Sequence, residues 1–222
     1  MQSVRLVVVM SVVAVLPVKR FDAAKQRLAL GMDDERRREL VAAMLRDVLA
    51  AIESSRLIER TIVVSGEPAA QQIAREAGAD VLEDSRDEGH PEAALIGIAE
   101  AKARGASTVL LVPGDCPLLE ARDLDSLLTA VPDHFVGIVP DRHGTGTNAL
   151  LLRPPDVIRP AFGEGSCERH LQAARDAGIP HGVEELDSLA LDLDTPADVV
   201  ALTRVLESGR GGAANTARVL GL

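Results

Sequence analysis

The chain has 222 residues, of which 46% are apolar, and it contains three Phe but no Trp or Tyr. This length favours one domain with an aliphatic core. The net charge of −10 excludes a general nucleic-acid or membrane-surface binder, and the two cysteines match no zinc pattern and make a poor disulfide framework, so a cytoplasmic protein is expected.

The first apolar run, residues 6–18, has some features of a secretory signal. It is too short to span a membrane, which takes roughly 20 residues. It is also rich in Val, ends in Pro17 and Lys19-Arg20, and offers no convincing cleavage site. We therefore interpret residues 7–15 as a buried strand, with Met10 as an alternative start.

Strands and helices then alternate along the chain. Strands are predicted at 61–65, 80–83 and 108–112, and helices at 33–54, 68–78, 91–105 and 123–130. Such alternation implies right-handed crossovers, and hence an α/β fold with a mostly parallel sheet covered by helices on both faces.

The rhythm changes after residue 133. "HFVGIVP" and "TNALLLR" predict two strands joined as a small antiparallel insertion. Ser166 is predicted to cap a helix, "LALDLD" (189–194) to be the last strand, and Thr195 to cap the last helix. This gives one domain over residues 1–207.

Residues 208–222 are rich in Gly and Ala and predict a flexible tail. Val219 and Leu220 within it could dock on a partner, and a homodimer is one expected assembly.

Three carboxylates follow apolar strands. Asp115 comes just after "TVLLV", and Asp192 and Asp194 share one face of the predicted last strand. Because ligands bind beyond the carboxyl ends of strands in open α/β sheets, the three are expected to converge there around Mg²⁺. Taken alone, Asp115 or Asp194 could equally be a turn or capping residue.

The segment "PVKRFDAAKQRL" (17–28) places four cations after the first strand: Lys19, Arg20, Lys25 and Arg27. In an acidic protein such a cluster suggests a polyphosphate site, although a solvated surface loop would look the same. The chain has no G-x-G-x-x-G motif, so a dinucleotide site is unsupported.

Five segments together resemble the guanylyltransferases of coenzyme F-420 biosynthesis, which act on 2-phospho-L-lactate or phosphoenolpyruvate. They are "PVKRFDAAKQRL", "PGDCPLL", "DRHGTGTNALLLRPP", "FGEGSCERH" and "LDLDTPAD". The resemblance implies a Rossmann-like nucleotidyltransferase fold and the use of GTP and Mg²⁺. It also implies metal ligands at Asp115, Asp192 and Asp194, with the acceptor's phosphate and carboxylate held near Thr147, Gly163 and Ser166.

The residues themselves agree on an anion site in the second half of the chain. Backbone N–H groups around residues 144–148, with a helix N-terminus at Ser166, could bind a small anion. The alternatives are a Thr147 hydroxyl in solvent and a Ser166 that is only a cap. Lys19, Lys25 and Arg27 would then bind the triphosphate, with Lys19 and Lys25 acting in catalysis. The histidines are interpreted as structural or surface residues, except that His143 could contact substrate.

The chain departs from the family pattern in two places: Pro91-Glu92 replaces Leu-Asn, which leaves guanine selection open, and Cys116 replaces Leu. The acceptor also stays open among phosphoenolpyruvate, 2-phospholactate and 3-phosphoglycerate. Two further alternatives are a nucleotidyltransferase with another base or acceptor and a non-catalytic nucleotide-binding protein.

Overall fold

The computed structural model describes residues 10–21, 25, 32–86, 88–209 and 212–222. The strands are β1 Val12–Pro17, β2 Arg60–Val64, β3 Asp80–Leu82, β4 Thr108–Leu111, β5 Phe135–Pro140, β6 Thr147–Arg153 and β7 His181–Val183. The helices are α1 Asp34–Glu53, α2 Pro68–Glu76, α3 His90–Ala103, α4 Ala121–Leu128, α5 Ser166–Asp176, α6 Asp187–Ala190, α7 Pro196–Glu207 and α8 Ala214–Leu220.

Within the described ranges, seven strands form one sheet in the order β3-β2-β1-β4-β6-β5-β7. The strands β1 to β4 are mutually parallel where they pair. Strand β6 runs antiparallel to both β4 and β5, and β7 pairs parallel with β5. The predicted mostly parallel sheet with a small antiparallel insertion is therefore confirmed.

Helices cover both faces of the sheet, as predicted. Neighbouring residues of β1 point to opposite faces, so Ala14 packs in the core beneath α1 and Val15 in the core beneath α3. Helix α3 approaches the sheet closely at Gly97, where an added Cβ would lie 2.3 Å from a methyl carbon of Val15. Both cores are aliphatic, as the composition requires. None of the helices in the described ranges is long and apolar enough to cross a membrane.

The helix boundaries follow the local capping signals. Asp33 accepts a hydrogen bond from the backbone of Arg36 at the start of α1. Thr195 is the N-cap of α7, as the sequence predicts, and it forms a reciprocal capping box with Asp198. The predicted first strand is confirmed over Val12–Pro17, whereas residues 1–9 lie outside the described residues.

The predicted last strand is wrong. Residues 187–190 form the short helix α6, and residues 191–194 belong to no helix or strand. The places beside β4 are taken by β1 and β6, so the segment has no position next to it in the sheet. The local alternation of apolar and acidic residues cannot reveal that other strands already lie on both sides of β4.

The end of the chain also differs from the predicted flexible tail, because residues 214–220 form α8, which packs on α1. Val219 and Leu220 lie partly buried against the chain's own core.

A buried carboxylate of α1 holds α8 in place. Asp47, which is 6% exposed, accepts hydrogen bonds from the backbone N–H groups of Asn215 and Thr216 at 3.0 and 2.8 Å. It also accepts from the Asn215 amide and the Thr216 hydroxyl, at 2.8 and 2.6 Å. Asp47 thus caps the N-terminus of α8 from another helix and satisfies donors that the short helix cannot satisfy itself.

We predict that Asp47→Ala lowers the free energy of unfolding by about 3 kcal/mol, because it leaves buried donors at the start of α8 unpaired. Urea unfolding followed by circular dichroism measures the change. The matched control is Glu39→Ala, an exposed acid on the same helix, for which we expect a change within about 0.5 kcal/mol. Equal effects of the two variants would show that Asp47 does not hold α8.

Candidate active site

The candidate site lies at the edge of the sheet where β4 ends. Asp115 follows that strand after three intervening residues. Strand β6 runs antiparallel to β4, with Leu150 paired to Leu111, so its first residue, Thr147, lies at the same edge. The antiparallel insertion therefore brings Thr147 to the edge on which Asp115 stands.

The structure brings the 192–194 segment to Asp115. The backbone N–H of Leu193 donates to the Asp115 carbonyl at 3.3 Å. Leu193 is fully buried, whereas Asp192 and Asp194 on either side of it are partly exposed. The two carboxylates therefore point away from the core although the segment is not a strand.

Lys25 lies between two of these carboxylates. Its ammonium group donates to Asp115 Oδ2 and, at 2.5 Å, to Asp194 Oδ1. Only 9% of its side chain is exposed. Burial alone would lower the pKa of Lys25, but the two carboxylates outweigh burial and raise that pKa above its ordinary value.

The pKa values of Asp115 and Asp192 are shifted in opposite directions. Burial would raise the pKa of Asp115, but the neighbouring Lys25 ammonium lowers it below its ordinary value. The pKa of Asp192 is raised, first by burial and then by repulsion from Asp115 and Asp194. One ammonium thus only partly offsets three carboxylates, and Asp192 carries the remaining repulsion.

The carboxylate oxygens of this site can be compared with the ligands that a metal ion requires. In the part of the chain that the structure describes, no three carboxylate, imidazole or thiol groups are already arranged as a metal site. Asp115 Oδ1 is nevertheless buried without a hydrogen-bond partner there. Carboxylate oxygens are the ligands that Mg²⁺ prefers. The residues fit a hard divalent cation, whose charge would offset the remaining repulsion among the three carboxylates.

The other predicted cations fall into two groups. Lys19 and Arg20 are exposed just after β1. The buried ring of Phe21 follows them, and its backbone N–H donates to Glu67 Oε2 at 3.0 Å, which anchors the start of this loop. Arg27 lies outside the described residues, so its part in nucleotide binding stays a prediction.

The glycine-rich loop between β5 and β6 differs from the expected cradle of free backbone amides. The Asp141 carboxylate accepts from the N–H groups of His143 and Thr145 at 3.1 and 3.0 Å, and its carbonyl accepts from Gly144 at 2.9 Å. An added Cβ on Gly146 would lie 2.6 Å from Asp141 Oδ2. These amides bind the loop's own aspartate, so they are not available to a ligand.

Ser166 is placed differently from the prediction as well. Gly165, with a φ of 70°, is the N-cap of α5, and Ser166 is the first helical residue. Its hydroxyl is fully buried and has no hydrogen-bond partner among the described residues. The backbone N–H of Ser166 donates to the Gly163 carbonyl at 3.0 Å, so these two predicted acceptor residues are in contact.

Sequence reasoning missed His170, which contacts the third predicted acceptor residue. Its Nδ1 lies 3.0 Å from Thr147 Oγ1. His170 is fully buried and is one helical turn from Ser166 on α5, so the two residues share a face. That i, i+4 spacing was the available signal. By contrast, His143, the histidine singled out from the sequence, is exposed and contacts the neighbouring Arg142.

His90 was also missed. It is half-buried at the start of α3, and its ring is perpendicular to Phe162, which in turn is nearly perpendicular to His170. Burial lowers the pKa of His90 to about 4, and the charges of Asp115, Lys19 and Lys25 also act on it. The three packed rings of His90, Phe162 and His170 therefore extend from the surroundings of Asp115 to Thr147.

A second connection joins the loop to the carboxylates. Arg142 forms an ion pair with Asp198, whose Oδ2 accepts from the backbone N–H of Asp194 at 3.0 Å. Nearby, the Asn148 amide donates to the Leu189 carbonyl at 2.6 Å. The hairpin loop and the segment that carries Asp192 and Asp194 are thereby held together.

The two departures from the family pattern have plain structural roles. Glu92 forms an ion pair with Arg159 at 2.8 Å. Cys116 is fully buried, with Sγ 3.6 Å from the Leu189 carbonyl, and burial raises its thiol pKa. Cys116 is therefore a packing residue with an unreactive thiol.

Comparison with known proteins places this site in a family. The family model described as "Guanylyl transferase CofC like" matches residues 12–216. The chain is 46% identical to a phosphoenolpyruvate guanylyltransferase of Conexibacter woesei over 95% of this chain and 96% of that one. It is 36% identical to a 3-phospho-D-glycerate guanylyltransferase of Phenylobacterium zucineum, over 86% and 89% of the two chains.

A solved nucleotidyl transferase from Methanothermobacter has the same fold, with a TM-score of 0.68, 16% identity and coverage of 89% of this chain and 99% of that one. The likeness to that structure concerns the fold, whereas the family assignment rests on sequence. The family model covers most of the chain, and both guanylyltransferases align over most of their own length. The chain therefore belongs to the Guanylyl transferase CofC like family.

Proposed function

We propose that the protein transfers the GMP moiety of GTP to the phosphate of a small phosphorylated carboxylate and releases pyrophosphate, as a step of coenzyme F-420 biosynthesis. One observation carries the proposal. Relatives that match nearly the whole chain are guanylyltransferases named for two different acceptors, phosphoenolpyruvate and 3-phospho-D-glycerate. Both acceptors have a phosphate and a carboxylate, and that shared chemistry defines the substrate class.

In the proposed reaction an oxygen of the acceptor phosphate attacks the α-phosphorus of GTP. A new P–O bond forms, and the bond from the α-phosphorus to the oxygen bridging the β-phosphorus breaks. Its electron pair leaves with pyrophosphate. The attacking phosphate is already ionised at neutral pH, so the reaction needs no general base. Catalysis then depends on positioning and on neutralising the charge of two anionic substrates.

The carboxylates Asp115, Asp192 and Asp194 would hold Mg²⁺, which when bound would neutralise phosphate charge and polarise phosphoryl oxygens. Lys25 supplies a buried ammonium group beside the same carboxylates. With Lys19 and Arg27 it would stabilise the triphosphate and the departing pyrophosphate.

On the other side, hydroxyl groups would orient the acceptor. Thr147 and the Ser166 hydroxyl, which has no hydrogen-bond partner among the described residues, can each donate one hydrogen bond to a phosphate or carboxylate oxygen. Gly163, with a φ of 111°, lets the backbone take a conformation that brings its carbonyl to the start of α5. Neutral donors thus complement the cations of the nucleotide side.

Asp192→Asn should reduce turnover at least roughly 100-fold, because it removes one of the carboxylates that would hold Mg²⁺. Since burial, and then repulsion from Asp115 and Asp194, raise the pKa of Asp192, its ionised form is disfavoured in the folded protein, and the neutral amide should leave the melting temperature unchanged or higher. Pyrophosphate release and differential scanning calorimetry measure the two effects. Asp187→Asn, an exposed acid in the preceding helix, is the control. Full activity of Asp192→Asn would remove it from the site.

Thr147→Val should raise the KM for the acceptor roughly tenfold while leaving the KM for GTP nearly unchanged, because one hydrogen bond to an anionic oxygen is lost. Initial rates with each substrate varied in turn separate the two constants. Thr145→Val, at an exposed position of the same loop, should change neither. A larger effect on GTP would assign this loop to the nucleotide.

A substrate panel tests the proposal as a whole. GTP, ATP, CTP and UTP are each combined with phosphoenolpyruvate, 2-phospho-L-lactate and 3-phosphoglycerate, and pyrophosphate release is measured with and without Mg²⁺. We expect pyrophosphate with GTP, with at least one acceptor, and only with the metal. Turnover confined to another nucleotide, or no turnover with any pair, would contradict the proposed function.

A further inference from the structure

The buried imidazole of His170 makes contacts that packing alone does not require. Its Nδ1 lies 3.0 Å from Thr147 Oγ1, and its Nε2 accepts a hydrogen bond from the backbone N–H of Ala161 at 2.8 Å. The ring of Phe162 lies 5.3 Å from the imidazole at an angle of 75°. Three groups on two other segments of the chain therefore set the orientation of this ring.

The contact with Ala161 determines where the ring carries its proton. A backbone N–H can only donate, so Nε2 must present a lone pair. In the neutral imidazole the proton then lies on Nδ1. Both the other tautomer and the imidazolium ion would place an Nε2–H against the Ala161 N–H.

The proton on Nδ1 has a consequence for Thr147. Nδ1–H must donate to Thr147 Oγ1, which accepts with one of its two lone pairs. The single proton of the Thr147 hydroxyl is then not used by the imidazole. Because Thr147 is partly exposed at the sheet edge while His170 is fully buried, that proton remains available to a ligand.

We propose that His170 is a positioning residue that, as its Nδ1–H tautomer, turns Thr147 into a hydrogen-bond donor for the anionic acceptor. This inference rests on the proposed function, because it takes Thr147 as an acceptor-binding residue. The same imidazole fixes Ala161, two residues before Gly163, and shares a helix face with Ser166. His170 thus contacts Thr147 directly and lies close in the chain to the other two acceptor residues.

The electrostatics of the ring agree with this role. Burial, and then the neighbouring Arg169, lower the pKa of His170 to about 4. The imidazole is therefore neutral at pH 7, as the contact with Ala161 requires.

The first test uses the wild-type protein. Nitrogen-15 NMR of imidazole-labelled protein distinguishes a protonated from an unprotonated ring nitrogen, and His170→Asn identifies the His170 signals by their loss. We expect a neutral ring with the proton on Nδ1. A proton on Nε2, or on both nitrogens, at pH 7 would overturn the proposal without any need for an active variant.

The second test separates the two hydrogen bonds of the ring. The amide nitrogen of Asn reaches the position of Nδ1, so His170→Asn keeps a donor to Thr147. The amide oxygen of Gln reaches the position of Nε2, so His170→Gln keeps the acceptor for Ala161 and loses the donor. With phosphoenolpyruvate or the most active acceptor, we expect a KM within about threefold of wild type for Asn and roughly tenfold higher for Gln. The KM for GTP should not change.

The Thr147→Val background distinguishes this inference from the proposed function. In that background His170→Gln should raise the acceptor KM less than about twofold further, because both changes remove the same interaction. If Thr147→Val alone leaves the acceptor KM unchanged, the proposed acceptor site is wrong. If Thr147→Val raises it but His170→Gln does not, the site stands and the positioning role is rejected.

Discussion

The arrangement of the site depends on the hydrogen bonds and the ion pair that the Asp198 carboxylate accepts. Its Oδ2 accepts from the backbone N–H groups of Asp194 and Thr195 at 3.0 and 2.7 Å, and it forms an ion pair with Arg142. Asp198 is only 3% exposed, so its carboxylate is paired with these protein groups and not with water. One capping residue of α7 thereby holds both the segment that carries Asp192 and Asp194 and the loop that leads to Thr147.

The two sides of the site solve different electrostatic problems. Around Asp115 the chain concentrates negative charge and offsets part of it with Lys25, an arrangement that favours a further cation. Around Thr147 it offers hydroxyl groups oriented by a neutral imidazole, while the loop amides are bound to Asp141. Under the proposed function, an acidic protein thus holds a polyanionic nucleotide with cations and a smaller anion with neutral donors.

Much of the fold could be predicted because its signals are local. The capping box of Thr195 and Asp198 and the alternation of strands and helices each depend on neighbouring residues. The strand-end rule predicted that Asp115 and residues 192–194 meet, but the segment reaches Asp115 as a loop and not as a strand. The prediction of a last strand was wrong because β1 and β6 already flank β4. The prediction of a flexible tail was wrong because Asp47, from a distant part of the chain, caps α8. Neither fact leaves a local pattern.

The sequence by itself determined the α/β class, most helix boundaries, and the alternation that turns Asp192 and Asp194 away from the core, because each depends on residues a few positions apart. Only the tertiary structure decided that an antiparallel β6 delivers Thr147 to the edge where Asp115 stands. It also decided that a buried His170 bonds to Thr147 and that Lys25 lies between Asp115 and Asp194. These contacts join residues far apart in the chain, and only packing can specify which distant polar groups meet.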